Sequence, residues 1–152
     1  MVTRFTAHAR SVVKNAEGEA RRCRSSVIEA EHLFLAMSAQ PDAEVAKLLA
    51  SVGLTHKSIE DALEKEFAAS LQAAGVSVER SRLGGPRVES SGRMRMGASS
   101  KAALVRAATA ASGSRQIESA HLLIGVLGAH LGTVPRALRL AGVDQADLMA
   151  RT

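Results

Sequence analysis

Aromatic residues are almost missing from this sequence. It has no tryptophan and no tyrosine, and only three of its 152 residues are phenylalanine. Apolar residues nevertheless make up 46% of the chain, which is enough to form a hydrophobic core. That core must therefore be built from aliphatic residues and methionine. Strands favour β-branched and aromatic side chains, whereas alanine and leucine are strong helix formers. The composition predicts an all-α fold, and only three prolines interrupt it.

Cysteine and long hydrophobic runs are also scarce. The single cysteine, Cys23, excludes an internal disulfide and favours a reducing compartment. The sequence starts Met-Val-Thr-Arg-Phe, without an apolar leader, and no stretch approaches the ~18 apolar residues that span a bilayer. We therefore expect a cytoplasmic protein with no membrane partner. No spacing of histidine, cysteine and acidic residues suits a metal ion, so we expect no metal and no cofactor.

An internal repeat is the most informative feature that the sequence does contain. The segment 28–33 reads I-E-A-E-H-L, and the segment 117–122, 89 residues later, reads I-E-S-A-H-L. Each copy then places a glycine 21 residues after its histidine: Gly53 after His32, and Gly142 after His121. A shared motif with shared spacing indicates duplication of one supersecondary unit.

The sequence of each copy predicts four helices. Apolar residues recur at helical spacing from Phe5 to Ala20, and Thr6 can cap that helix. Gly53 and Gly142 end the third helix of their copies, because glycine adopts the left-handed conformation without strain. A unit of ~65 residues is marginal alone, so we expect one domain with a shared core. The predicted parts are repeat 1 over 1–73, a Gly/Ser/Arg-rich linker loop over 74–97, and repeat 2 over 98–152, within a single domain of 1–152.

Three of these features resemble the amino-terminal repeat domain of Clp ATPases, of the ClpC type. They are Phe5-Thr6 near the start, the pattern I-x-x-E-H-L at 28–33, and the later Leu-x-x-x-Gly that ends at Gly53. The resemblance covers nearly the whole chain. It implies two pseudo-symmetric four-helix repeats packed as one domain, which docks adaptor proteins and some substrates ahead of the ATPase rings. The second repeat departs from the family pattern, because Ala120 stands where the family has glutamate.

The sequence contains no G-x-x-x-x-G-K-[ST] phosphate loop. A chain of this kind cannot hydrolyse ATP, and no nucleophile, base and oxyanion donor are grouped for another reaction. We therefore predict no enzyme, but a docking module for regulated proteolysis that delivers clients as an adaptor or withholds them as a decoy. The alternative is that the chain is the excised amino-terminal domain of a ClpC-type ATPase.

Glu31 is the first candidate binding residue. The resemblance implies that a glutamate here can bind phosphoarginine, pairing with the guanidinium while the phosphate lies near a helix N-terminus. This chemistry is sound, because carboxylate and guanidinium match in a bidentate pair and the free N–H groups of a helix start attract anions. The alternative is that Glu31 only complements the helix dipole. Ala120 removes the equivalent carboxylate, so at most one of two such sites is intact.

A second candidate surface follows from the same resemblance. In the family, the chain start, the first helix and the start of the second repeat form a surface that binds partner proteins and cyclic-peptide antibiotics. Aromatic residues of that surface are replaced here by aliphatic side chains and methionine, so it would be smaller and without a ring for stacking. The alternative is that Val13 and Met96 are simply part of the core. The matching positions are Val2, Arg10, Val13, Met96 and Lys101.

His32 and His121 stand at equivalent positions of the two copies. A catalytic base would need a nearby nucleophile and an orienting acid, and the sequence indicates neither. We expect both histidines to form hydrogen bonds at helix ends, as buried polar groups generally do. Their role would then be structural.

Positive charge invites a nucleic-acid alternative. The net charge is +5, and an arginine excess over lysine is typical of a GC-rich bacterial genome. An arginine-rich linker could contact phosphates without reading sequence. We rank this below protein binding, because no aromatic residue alternates with the arginines and no nucleic-acid motif is present. The linker arginines are Arg80, Arg82, Arg87, Arg93 and Arg95.

Overall fold

Helices account for most of the described part of the chain, which confirms the all-α fold. The computed structural model describes residues 4–40, 43–75 and 92–152, and these contain two sets of four helices. The first set is α1 (Ala7–Arg22), α2 (Ala30–Ser38), α3 (Glu44–Ser51) and α4 (His56–Ala73). The second set is α5 (Ala98–Ala110), α6 (Ser119–Leu127), α7 (Thr133–Leu140) and α8 (Gln145–Arg151).

Local side-chain chemistry sets the ends of these helices. Thr6 caps α1 by accepting a hydrogen bond from the Ala9 N–H at 3.1 Å. Asp144 caps α8 in the same manner. Gly53 and Gly142 follow α3 and α7 with φ angles of +83° and +73°, a region that favours glycine. Polar residues and glycines therefore fix where the chain leaves each helix.

Four two-residue strands join the repeats, and the sequence did not predict them. They are β1 (Arg4–Phe5), β2 (Val27–Ile28), β3 (Arg95–Met96) and β4 (Gln116–Ile117). β1 pairs in parallel with β4, and β2 pairs in parallel with β3. Each pair joins a strand of repeat 1 to a strand near or in repeat 2. β3 falls within the range predicted as linker loop, while residues 76–91 of that range lie outside the described residues.

The core is shared by both repeats. α1 packs on α2 and α5 packs on α6, while α2 also contacts α6. Leu33 on α2 and Leu122 on α6 occupy equivalent repeat positions and are 0% and 1% exposed. Both belong to one continuous hydrophobic cluster. Phe34 of α2 is buried in the same cluster at 2% exposed, so the prediction of a core without aromatic side chains is wrong at this position.

α5 and α6 approach each other closely at Gly125. A Cβ atom at this position would lie 2.1 Å from the Ala103 carbonyl oxygen and 3.0 Å from the Ala107 nitrogen. The Gly125 carbonyl also accepts a hydrogen bond from Arg106 Nε at 2.7 Å. Alanines on α5 and a glycine on α6 thus allow direct backbone contact between the helices.

Among the described residues, none of the helices has the length and apolar character required to cross a membrane.

Candidate functional site

The two strand pairs bring four helix starts together in two places. β2 and β3 lead into α2 and α5, so the starts of these helices lie side by side. β1 and β4 lead into α1 and α6 in the same way. We call these places the α2–α5 junction and the α1–α6 junction. Because helix starts carry unpaired N–H groups and the positive end of the helix dipole, both junctions can attract negative charge.

The α2–α5 junction is closed by side chains of the protein itself. Gly97, the residue before α5, has no side chain to cap this helix. The Glu29 carboxylate of repeat 1 reaches across and accepts hydrogen bonds from the Ser99 N–H, at 3.2 Å, and from the Ser99 hydroxyl. The Ser99 oxygen in turn accepts from the Ala30 N–H of α2 at 2.8 Å. Glu29 and Ser99 therefore satisfy N–H groups of both helix starts.

The absence of a side chain at Gly97 is required for this closure. A Cβ atom there would lie 2.1 Å from Glu29 Oε1, and Gly97 is buried. The Gly97 N–H also donates to the Ile28 carbonyl at 2.8 Å, which continues the β2–β3 pairing. The carboxylate thus occupies the space that any other residue would fill with its own side chain.

Glu31 lies in the first turn of α2, beside this closed junction, and is half-buried. Burial raises the pKa of its carboxyl group, its own backbone N–H opposes that rise, and the negative charges of Glu29 and Glu66 add to it. Glu66 is buried on α4 and is already paired with Arg136 of α7 at 2.7 Å. Glu31 is therefore a carboxylate in a negatively charged environment, which favours a cationic ligand.

His32 supports the same junction from within α2. Its Nδ1 accepts a hydrogen bond from the Glu29 N–H at 2.8 Å, so the neutral ring carries its proton on Nε2. His121 makes the equivalent bond to the Glu118 N–H at 3.0 Å. Burial lowers the pKa of His32, because the charged ring would be poorly solvated. Both rings thus hold the residue before their helix in place.

The buried His32 makes stability depend on pH. In the unfolded chain the pKa of a histidine is about 6.5, whereas the pKa of His32 in the folded protein is lower. The unfolded state then binds more protons as the pH falls below that value, so the free energy of unfolding decreases. We expect the urea midpoint to fall between pH 7.5 and pH 5, and to fall less steeply in His32→Asn. Equal slopes in both proteins would contradict this role for His32.

The α1–α6 junction differs from its counterpart because it is open. His8 stands where the α2–α5 junction has Ser99, and Glu118 is exposed instead of bonded to the facing helix. A cleft of about 800 Å³ lies there, lined by the starts of α1 and α6, by residues 39–40 after α2 and by residues 43–45 at the start of α3. Ala120 contributes no charge to it. The Ser119 hydroxyl at the start of α6 is buried without a hydrogen-bond partner among the described residues.

Comparison with known proteins matches this arrangement to one family. The sequence model of the Clp repeat (R) N-terminal domain matches residues 4–83, which is more than half of the 152 residues. The chain belongs to this family. A search of curated proteins gave no significant match.

Solved structures share the fold of this Clp repeat domain over nearly its whole length. The N-terminal domain of the chaperone ClpD from Arabidopsis thaliana has a TM-score of 0.70 at 19% identity, with 99% of this chain and 93% of that chain covered. The Hsp104 N-terminal domain from Candida albicans has a TM-score of 0.65 at 15% identity, with coverage of 97% and 88%. A structure described as part of a malarial protein secretion system gives 0.66 at 13%, with coverage of 97% and 91%.

The described residues of the second predicted surface lie on α1 and around the start of α5. Arg10 and Val13 lie on the first half of α1, near the α1–α6 junction, whereas Met96 and Lys101 flank the start of α5. Arg10 and Lys101 are exposed, and Val13 and Met96 are half-buried against the core. Val2 lies outside the described residues.

The structure describes only part of the basic linker. Arg93 and Arg95 are exposed, and Arg80, Arg82 and Arg87 lie outside the described residues. In the described ranges, no group of three histidine, cysteine or acidic side chains could hold a metal ion.

The sequence did not predict the contact between Glu29 and Ser99, because the pattern I-E-x-x-H-L does not reveal that Glu29 faces another helix.

Proposed function

We propose that this chain is a non-catalytic interaction module of the Clp proteolysis system, which binds adaptors or client proteins in the cytoplasm and acts as an adaptor or a decoy. The observation that carries the proposal is the family match over residues 4–83. Clp repeat domains are protein-interaction modules of Clp and Hsp100 ATPases. Because the sequence lacks a phosphate loop, the chain can bind a client but cannot unfold it.

Glu31 is the residue that we propose to recognise a client side chain. It is a half-buried carboxylate whose pKa is raised, and a bound guanidinium would relieve the unfavourable charge around it. Two ligands offer this group: an unmodified arginine and a phosphoarginine. Clients marked by phosphoarginine are therefore candidates, as the ClpC resemblance implies.

A second proposed surface would bind partner proteins or cyclic-peptide antibiotics. It consists of Val2, Arg10, Val13, Met96 and Lys101. Support comes from the exposure of Arg10 and Lys101 and the half-buried apolar side chains beside them. These residues lie at two junctions, so a partner that contacts them all has to span both repeats.

A second candidate function is that of the amino-terminal domain of a ClpC-type ATPase. The observation that favours it is the coverage of the ClpD structure, of which 93% is matched by this chain. That structure is itself described as an N-terminal domain of a chaperone. In this case the docking surface would be the same, and the ATPase rings would be supplied by the same polypeptide.

A degradation assay with a cognate Clp protease tests the proposal. Purified chain is added in increasing amounts to the protease, ATP and a fluorescent client, and client loss is followed. A decoy inhibits degradation and an adaptor accelerates it, and both effects should saturate. The Glu31→Ala variant should have a weaker effect than the Leu131→Ala variant, whose altered side chain is 89% exposed and far from Glu31 in sequence. No effect at any concentration would contradict the proposal.

A further inference from the structure

The closed α2–α5 junction shows which chemical group joins two helix starts in this fold. The Ser99 hydroxyl of α5 lies between two groups of repeat 1. Its oxygen accepts a hydrogen bond from the Ala30 N–H at 2.8 Å, and its proton is donated to the Glu29 carboxylate. A hydroxyl suits this place because it is a donor and an acceptor at once. One neutral group therefore satisfies both the first N–H of α2 and the carboxylate that precedes it.

The α1–α6 junction presents the same two groups without the hydroxyl between them. Ser119 is the first residue of α6, Glu118 precedes it, and the glutamates of both junctions form the same capping box. His8 is the second residue of α1, the place that Ser99 has in α5. Within the part of the chain that the structure describes, neither the Ser119 N–H nor the His8 ring has a hydrogen-bond partner. The two receiving groups are in place, and the group that would join them is missing.

Thr6 explains why the protein does not close this junction itself. It precedes α1 as Gly97 precedes α5. A Cβ atom at Gly97 would lie 2.1 Å from Glu29 Oε1, and Thr6 carries such an atom. A Glu118 carboxylate placed like that of Glu29 would therefore collide with Thr6. Glu118 is exposed, and its side chain does not reach α1.

The buried hydroxyl of Ser119 is an independent sign that a ligand belongs in the cleft. Ser119 lines the cleft and is only 6% exposed, yet its hydroxyl has no partner among the described residues. Buried hydroxyl groups are normally hydrogen-bonded, because an unpaired one lowers stability. Rotation of a serine side chain between its staggered positions is enough to turn the hydroxyl toward a ligand. A peptide group of a bound segment would satisfy it.

Size and charge of the cleft favour a neutral peptide segment. Its volume of about 800 Å³ lies within the usual range of about 300–1,000 Å³ for ligand pockets. The starts of α1, α3 and α6 each contribute about half a positive charge, whereas Glu44 and Glu118 contribute two negative ones, and no described lysine or arginine lines the cleft. These charges nearly cancel, so neither an anion nor a cation is preferred. The apolar part of the wall consists of Ala39, Ala43, Val45 and Ala120.

We propose that the α1–α6 junction binds a neutral segment of a partner protein through a serine or threonine hydroxyl, which takes the place that Ser99 fills in the other junction. This hydroxyl accepts from the Ser119 N–H and donates to the Glu118 carboxylate. Small side chains beside it contact the apolar wall of the cleft. The inference goes beyond the proposed function, because it assigns a site separate from Glu31 and does not require that the partner be degraded.

Nuclear magnetic resonance titration of the ¹⁵N-labelled full chain tests the inference with three blocked tripeptides. They are Ala-Ser-Ala and its counterparts with alanine or phosphoserine in the middle. We expect the serine peptide to shift the amide signals of Ser119 and Ala120 and to bind roughly tenfold more tightly than the alanine peptide, because it adds a hydrogen bond to a charged group. The phosphoserine peptide should bind no better than the alanine peptide, because its phosphate lies beside Glu118.

Two variants of the α1–α6 junction and one control extend the test. Thr6→Gly/His8→Ser gives this junction the residue types of the closed one, so that the chain fills its own site and the affinity for the serine peptide should fall by about tenfold or more. Glu118→Gln should also weaken binding by about tenfold, because the hydrogen bond to the carboxylate loses its charge. Glu29→Gln makes the same change at the closed junction and should leave the affinity as in the wild type.

Equal affinities for the serine and alanine peptides would overturn the inference, and so would unshifted Ser119 and Ala120 signals at the highest soluble peptide concentration. Wild-type affinity in a folded Thr6→Gly/His8→Ser protein would do the same. If circular dichroism shows that this double variant does not fold, Glu118→Gln decides, and wild-type affinity in that protein contradicts the assigned acceptor. The titration contains no protease, so a negative result removes this site and leaves the proposed function to the degradation assay.

Discussion

Replacing Gly125 by alanine should cost about 3 kcal/mol of folding free energy, the upper part of the usual range for overpacking. The added Cβ atom would lie 2.1 Å from the Ala103 carbonyl oxygen, which is backbone and cannot move aside alone. α5 and α6 must separate as units, and the hydrogen bond from Arg106 to the Gly125 carbonyl is then strained. Urea unfolding of the purified variant measures the loss.

Gly18→Ala is the matched control for this prediction. Gly18 lies within α1, and a Cβ atom there would have no neighbour within 4 Å. Alanine is favoured over glycine in a helix interior by about 1 kcal/mol, so this variant should be more stable than the wild type. The same chemical change is thus expected to have opposite signs at two positions. A Gly125→Ala protein as stable as the wild type would show that α5 and α6 do not meet as described.

Replacing Leu33 or Leu122 by alanine should each cost about 2–5 kcal/mol, the range for deleting a fully buried leucine. The two residues hold equivalent positions on α2 and α6 and are 0% and 1% exposed. Because both lie in one cluster, each substitution should lower a single unfolding transition of the whole chain. Circular dichroism during thermal unfolding, followed at several wavelengths, measures the effect.

Leu131→Ala provides the corresponding control, since this leucine is 89% exposed. A substitution of an exposed side chain usually changes stability by less than about 0.5 kcal/mol. If Leu33→Ala affected only one of two separate transitions, and Leu122→Ala only the other, the shared core would be wrong. The three leucine variants therefore separate burial in a common interior from burial within each repeat.

Most of the helical framework could be predicted from the sequence, because its signals are local. Thr6 and Asp144 cap helices with their own side chains, and Gly53 and Gly142 have the positive φ angles that glycine favours. The repeat of I-E-x-x-H-L made the second half interpretable from the first. Signals of this kind depend on neighbours within a few residues, which a single sequence displays.

The features that join the repeats could not be predicted, because they depend on distant residues. A strand of two residues, such as β3, is too short to show alternation of apolar and polar side chains. The bond from Ser99 to Glu29 connects residues 70 apart. The different states of the two junctions also follow from tertiary contacts, since Glu29 and Glu118 occupy the same place in the repeated motif.

The candidate site shows the same division between local and distant information. The sequence indicated Glu31 as a binding residue through its motif, but the environment that raises its pKa includes Glu66 on another helix. It also paired Arg10 with Lys101 in one surface, and these residues lie on α1 and at the start of α5. A motif can name a residue, while the charges and helix starts around that residue arise from the packing of both repeats.

The central claim is that both repeats form one cooperative unit around a common core, and native-state hydrogen exchange tests it most directly. We predict that the most protected amides of α2, around Leu33, and of α6, around Leu122, exchange with the same free energy of opening, equal to that of global unfolding. Exchange of the α6 amides at a clearly lower free energy, while α2 stays protected, would contradict the claim.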